Sequence, residues 1–256
     1  MIWGKVPALG PIRHLWSLIK WPTIGTVTRI SKSGRKRKGI KDKMEEYLRP
    51  TSIVNFDNPT IKNKAQEITS GQREVIEKAR TLFYFVRDTI KYNPYLPRYL
   101  PEHFRASNTL ARGEGFCITK AALLIALSRA VGIPARFHFV TLRNYLLPEK
   151  MADLLVSNVI PDHSFAEFYV DGKWVGATPA FDLEMCQKYG IIPVEFDGKT
   201  DAKFHSRTQD GKLHIEYIFD RGTYADVPVE KIQEWVASEL KPEAKRLILG
   251  EGLQKN

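Results

Sequence analysis

The sequence predicts an α+β fold in which a buried helix carrying a cysteine packs on an antiparallel sheet. Three observations carry this. Residues 121–127 contain no polar side chain, so the helix they form is apolar on every face and belongs inside a fold. Downstream, aromatic and β-branched residues replace the helical spacing, and Asp171-Gly172 stands between two apolar runs as a two-residue hairpin turn. Helical patterns come first and strand patterns second, instead of alternating.

Taken in order, Thr69 and Gln72 read as a capping box. Val75, Ala79, Leu82, Phe83, Val86 and Ile90 then keep helical spacing, which predicts a helix over about 72–90. Pro94, Pro97 and Pro101 among Tyr92, Tyr95 and Tyr99 predict a loop suited to lining a cleft. Residues 106–109 read as a short helix or turn. Gly113, Gly115, Phe116 and Cys117 open the central helix, and Gly132 and Pro134 lie where a helix has just ended. A strand is predicted over 135–142, a crossover or helical insertion over 143–160, and a hairpin over 163–170 and 173–178. A further strand follows over 212–219. The last helix is predicted over 228–240, with Pro228 in its first turn and Ile232, Trp235, Val236 and Leu240 on one face.

The chain has 256 residues, with 43% hydrophobic residues and 13 phenylalanines, enough to fill a substantial core. Its two cysteines, Cys117 and Cys186, exclude a disulfide framework and point to a reducing compartment. The formal net charge is +10. Residues 1–43 hold eleven Lys/Arg and one acid, Asp42; residues 44–256 hold 28 of each sign. The excess therefore lies in an N-terminal arm and linker, 1–43, ahead of an electrically balanced body, 44–256. An anionic partner for the basic stretch 29–43 is the corresponding expectation, with a solvated tether as the plainer reading. Nothing else in the chain supports nucleic-acid binding. The apolar patches around Trp3, Trp16 and Trp21 are broken by Lys5, Arg13, His14 and Lys20, so no run approaches the ~18 residues of a membrane span. The absence of a signal-peptide core predicts a cytoplasmic protein. The arm is expected to be dispensable for folding of the body, because charge and texture both change at its end.

The chemistry centres on Cys117. At the start of a buried helix, backbone N–H groups and the helix dipole favour a thiolate; as an alternative, Cys117 is an inert core residue. Acyl chemistry by a cysteine also needs a histidine within reach and a group that orients the imidazole. Of six histidines, His163 is best placed, at the start of a hairpin strand 46 residues after Cys117. His138 and His214 read as packing or surface residues. Cys186 lies in an undistinguished setting and reads as inert. No close ligand pair of the zinc type occurs, so no metal and no cofactor are expected.

Gly115-Phe116-Cys117, followed by the stretch from Leu123 to Arg136, closely resembles the nucleophile helix of the transglutaminase-like superfamily. The stretch from Asp162 to Val175, centred on His163, resembles its histidine hairpin. The resemblance covers about 70–240 and extends to bacterial and archaeal members through Ala177-Thr178-Pro179-Ala180-Phe181-Asp182, residues 195–198 and residues 214–217. It implies a papain-like core with Cys117 as nucleophile and His163 as general base and acid. The usual third member is an aspartate in a Trp-x-x-x-Asp-Pro pattern; counting from Trp174 puts Thr178 there. Asp182, four residues on, can serve if Pro179 starts a turn. The implied activity is a thiol-dependent enzyme that hydrolyses or transfers an amide bond of a peptide or protein through Cys117, His163 and Asp182. The alternative is a non-catalytic peptide- or protein-binding module on the same fold.

Overall fold

The computed structural model describes residues 44–250. The basic arm lies outside the described residues, and with it the expectations about its partner and its dispensability.

Helix α1 (Pro59–Ile68) starts where Asn58 accepts from the Thr60 N–H at 2.9 Å and Pro59 fills the first turn. Helix α2 (Val75–Thr89) matches the predicted helix except at its start. Thr69 does not open it; Thr69 closes α1, donating its hydroxyl to the Ala65 carbonyl at 2.8 Å. The expected capping box is thus the end of an earlier helix, whose apolar spacing the sequence reading missed. Strand β1 (Lys91–Tyr92) pairs in parallel with β2 (Glu114–Gly115), across the short helices α3 (Pro101–Phe104) and α4 (Ala106–Arg112).

The central helix α5 (Cys117–Ala130) is buried at every position from Cys117 to Arg129. Two cations sit on it. The Lys120 ammonium donates to the carbonyls of Arg87 (3.0 Å) and Ile90 (2.5 Å), and Arg129 donates to those of Ala135, Arg49 and Ala225. Both charges are therefore satisfied by backbone carbonyls, which is what makes their burial tolerable. They also fasten the helix at both ends, Lys120 to the end of α2 and Arg129 to the start of the sheet.

Four antiparallel strands form that sheet: β3 (Ala135–Asn144), β4 (Val159–Val170), β5 (Lys173–Ala177) and β6 (Ile215–Tyr224), in the order β5-β4-β3-β6. Helix α5 packs on β4 and β3, as predicted. The β4–β5 turn has φ of 49° at Asp171 and 84° at Gly172, the positive pair that an Asp-Gly hairpin turn requires. In the β3–β4 pairing Ala135 faces Phe168 and Val140 faces His163; the register shifts between Val140 and Leu142, directly beyond the His163 pair. Such irregularities re-aim side chains and are frequent beside active sites.

The insertion after β3 holds one short helix, α6 (Glu149–Ala152). Strand β6 starts three residues later than predicted and runs to Tyr224. Helix α7 (Leu183–Tyr189) was not anticipated; α8 (Val229–Ala237) was, and α9 (Pro242–Leu249) follows it. Among the described residues no helix is long and apolar enough to cross a membrane.

Candidate active site

The turn into α5 is shaped by close approach. A β-carbon on Gly115 would meet the Thr119 hydroxyl at 2.5 Å, so only glycine fits. That hydroxyl accepts from the Phe116 N–H at 2.9 Å and donates back to the Phe116 carbonyl at 3.1 Å, closing the first turn. Cys117 thereby becomes the first helical residue, with its sulfur toward the backbone N–H groups of Ile118 and Ser164. Ser164 is the chain neighbour of His163, so the helix start and the histidine strand meet at this sulfur.

One cavity of about 800 Å³ is lined by both Cys117 and His163. Arg98 forms part of its wall from the Pro/Tyr-rich loop: its guanidinium lies 4.4 Å from the Phe116 ring centre, pairs with Asp162 at 3.1 Å and donates to the Pro94 carbonyl at 2.9 Å. Tyr92, Pro94 and Tyr95 line the cavity beside it, so the predicted cleft-lining loop is one. On the other side the Phe204 ring packs 5.0 Å from His163, stacks on Phe181 at 4.5 Å and approaches His214 at 6.2 Å.

The electrostatics differ from the sequence expectation. Cys117 is only 5% exposed, and desolvation, reinforced by the nearby Asp162 carboxylate, pushes its thiol up to about 12; Arg98 and the two N–H groups pull the other way without prevailing. The expected dipole-stabilised thiolate is therefore not present, because burial outweighs the helix terminus. Burial likewise pushes His163 down to about 3, and its Nε2 has no hydrogen-bond partner. The two residues face one cavity as a neutral thiol and a neutral imidazole.

The expected Asp182–His163 hydrogen bond is absent. The Asp182 carboxylate lines the same cavity, but one oxygen accepts from Met185 N–H (2.9 Å), capping α7, and the other from Tyr92 N–H (2.8 Å), tying α7 to β1. Thr178 donates its N–H to the Ala202 carbonyl at 3.0 Å, and its buried hydroxyl, turned toward Tyr217, makes no well-formed hydrogen bond. Cys186 is buried and does not line the cavity, and desolvation pushes its thiol up to about 11. His214, read from sequence as a packing or surface residue, is 1% exposed and lines the cavity; its ring lies toward the His205 carbonyl, but neither nitrogen makes a well-formed hydrogen bond. Its place in the sequence, just ahead of a strand, carried no sign of this. Arg98 could have been noticed as the cation of the Pro/Tyr-rich loop. Among the described residues no group of three or more His, Cys, Asp and Glu is arranged to hold a metal ion.

A cysteine on a buried helix start and a histidine on the neighbouring strand, facing one cavity, define an α+β protein with a thiol site. Residues 62–179, from within α1 to just past Thr178, match the Transglutaminase-like superfamily, so this segment is similar to that family's core. An uncharacterized protein of Mycobacterium leprae is 24% identical over 175 residues, covering 67% of this chain and 58% of the relative. A crystal structure of a candidate cysteine protease from Cytophaga hutchinsonii shares 21% identity at a TM-score of 0.43, over 54% of this chain and 42% of that one. A second, of a candidate protease from Parabacteroides distasonis, shares 16% identity at a TM-score of 0.33, over 50% and 26%. The chain thus matches little more than half the length of the curated relative, and less of either solved structure.

Proposed function

We propose that the protein is a thiol-dependent acyl-transfer enzyme acting on an amide bond, with Cys117 as nucleophile and His163 as general base and acid. The observation that supports this best is the meeting of the Cys117 sulfur with the His163 strand at the wall of a single open cavity. Because thiol and imidazole start neutral, the reaction begins as general-base catalysis and needs no preformed thiolate. The Cys117 sulfur bonds to the amide carbonyl carbon as its proton passes to the His163 imidazole. The C–N bond then breaks, and the imidazolium returns that proton to the departing amine, leaving an acyl thioester on Cys117. Water, or a second amine, attacks the thioester carbonyl, gives a proton to His163, and releases the acid or the new amide with the thiol restored. The Ile118 and Ser164 N–H groups beside the sulfur are the donors available to the developing oxyanion.

Asp182 fits this scheme as an anchor of the cavity wall, with no hydrogen bond to His163. A second reading, a binding module that keeps the cavity and not the chemistry, is favoured by one feature: Thr178 stands where the family pattern has an acid, so no carboxylate is bonded to His163.

Incubating the protein with a peptide library and a tagged primary amine, and reading products by mass spectrometry, decides between the two. New peptide termini indicate hydrolysis and tag incorporation indicates transfer. Both should vanish in Cys117→Ala. A product pattern identical in wild type and Cys117→Ala would sink the enzymatic reading.

A further inference from the structure

The cavity is larger than a cysteine and a histidine require. Beyond His163 and Phe204 its wall is aliphatic: Leu142, Leu147, Met151, Leu155, Leu240 and Ile248 all face it. This wall comes from the insertion after β3 and from the C-terminal helices, and the two are locked together. Leu155 and Leu240 form an antiparallel bridge, Val156 N–H donates to Glu239 (2.8 Å), and Lys241 N–H donates to Leu154 (3.0 Å). The predicted crossover is thus half of a built chamber.

Most of its charges are already engaged; the exception is the exposed Lys188, which has no carboxylate within salt-bridge distance among the described residues. Lys91 pairs with Glu184 (2.6 Å), Arg98 with Asp162 (3.1 Å), and Glu239 accepts from Ser157 (2.8 Å). Asp182 is held by two backbone N–H groups, and the Lys188 ammonium lies 5.3 Å from the Tyr189 ring centre. Of the cavity-lining residues with a buried polar atom that lacks a well-formed partner, Arg98 has its guanidinium already paired with Asp162, and the other two, His163 and His214, are imidazoles. An ionised group brought in beside Cys117 would lose its hydration next to Arg98 and Asp162, which already satisfy each other, a costly exchange. A neutral amide would instead meet histidine nitrogens at one end and aliphatic carbon at the other. The volume of about 800 Å³ is that of a pocket enclosing a whole small organic ligand, several side chains' worth of space.

The geometry points to an uncharged amide with a long apolar acyl chain as the occupant, its carbonyl group among Cys117, His163 and His214 and its chain along the Leu147–Met151–Leu155–Leu240 wall. The placement of the carbonyl end rests on the reading of Cys117 as nucleophile; the aliphatic character of the chamber's far wall does not.

The test is calorimetric titration of the full chain, as wild type and as Cys117→Ala, with acetamide, hexanamide, octanamide and octanoate at neutral pH. Affinity should rise at least about tenfold from acetamide to octanamide, because each buried methylene adds to binding. Octanoate should bind at least about tenfold more weakly than octanamide, because it brings a charge. Leu147→Arg, on the partly exposed part of the wall, should abolish the gain with chain length while the variant still unfolds cooperatively; Met151→Glu serves if it does not fold. Equal affinity for acetamide and octanamide, or octanoate binding as well as octanamide, overturns the chamber. Chain-length-dependent binding without any thiol-dependent turnover leaves the chamber standing and removes the enzymatic reading. Turnover that is indifferent to chain length does the reverse.

Discussion

Two histidines on neighbouring strands show how differently one sheet treats the same side chain. His138 on β3 is held from both sides: Nδ1 bonds Glu167 at 2.8 Å and Nε2 bonds Asp220 at 2.9 Å, while Arg136 holds the other Glu167 oxygen at 2.6 Å. Desolvation pulls against protonation there, but the two carboxylates prevail and hold His138 above its ordinary range. His163 on β4, opposite Val140 and so two pairs away from the His138–Phe165 pair, has burial without compensation and falls to about 3. The first cluster stitches β4, β3 and β6 together. The second leaves polar atoms unsatisfied at a cavity, a local cost that a folded protein carries where it binds or reacts. Ion-paired stitching and the proposed reactive site thus fall on two parts of one sheet.

The largest effect expected from this contrast falls on His163. His163→Phe should reduce thiol-dependent turnover by about 10²–10⁴-fold, the range for losing a general base, and leave the melting temperature unchanged or higher, since it removes an unpartnered buried group. A severe loss of stability would show that His163 is structural and break the contrast. Next in size is Lys120→Met, which strips the Arg87 and Ile90 carbonyls of their buried donor. Denaturant unfolding should show a loss of about 2–4 kcal/mol, with Cys117 becoming easier to alkylate as the helix start loosens.

His138→Phe should cost less, about 1–2 kcal/mol, and without loss of turnover. Its sign with pH is specific. The folded-state pKa is raised, so the His138 contribution is fully present below the unfolded value of about 6.5 and disappears as pH rises through the folded value. The stability difference between wild type and variant should therefore shrink above neutral pH; a difference that grows would put the ring in the neutral state. The smallest pair is Asp182→Ala against Thr178→Val. Loss of the α7 cap should cost Asp182→Ala about 1 kcal/mol in chemical denaturation, whereas Thr178→Val, losing a hydroxyl without a well-formed bond, should change stability by less than about 0.5 kcal/mol. The reverse ranking would move the anchoring role to Thr178.

Much of this was legible in the sequence. The apolar run after Cys117 could only be a buried helix, Asp171-Gly172 could hardly be anything but a hairpin turn, and the Cys117 and His163 motifs in that order bring their residues to one cavity. What escaped depended on contacts far apart in sequence. A helix dipole can be read from position, but the raised thiol of Cys117 depends on burial in the packed fold and on the Asp162 carboxylate. No local pattern marks Lys120 as buried, because its acceptors, the Arg87 and Ile90 carbonyls, come from the end of another helix. Asp182 had the right charge for an imidazole partner, but the N-terminus of α7, a helix too short to show clear periodicity, claimed its carboxylate. His214 reached the cavity through the fold of the segment after α7, whose course no local pattern indicates.

The central claim is that Cys117, though only 5% exposed, lines the cavity as the proposed nucleophile and rests there as a neutral thiol. Site-resolved mass spectrometry of iodoacetamide labelling across pH tests it directly in the intact protein. Cys117 should label faster than Cys186 at every pH, and its rate should still be climbing above pH 9, because its thiol is pushed up to about 12. A Cys117 rate that levels off near pH 7, or Cys186 labelling as quickly as Cys117, would contradict the account.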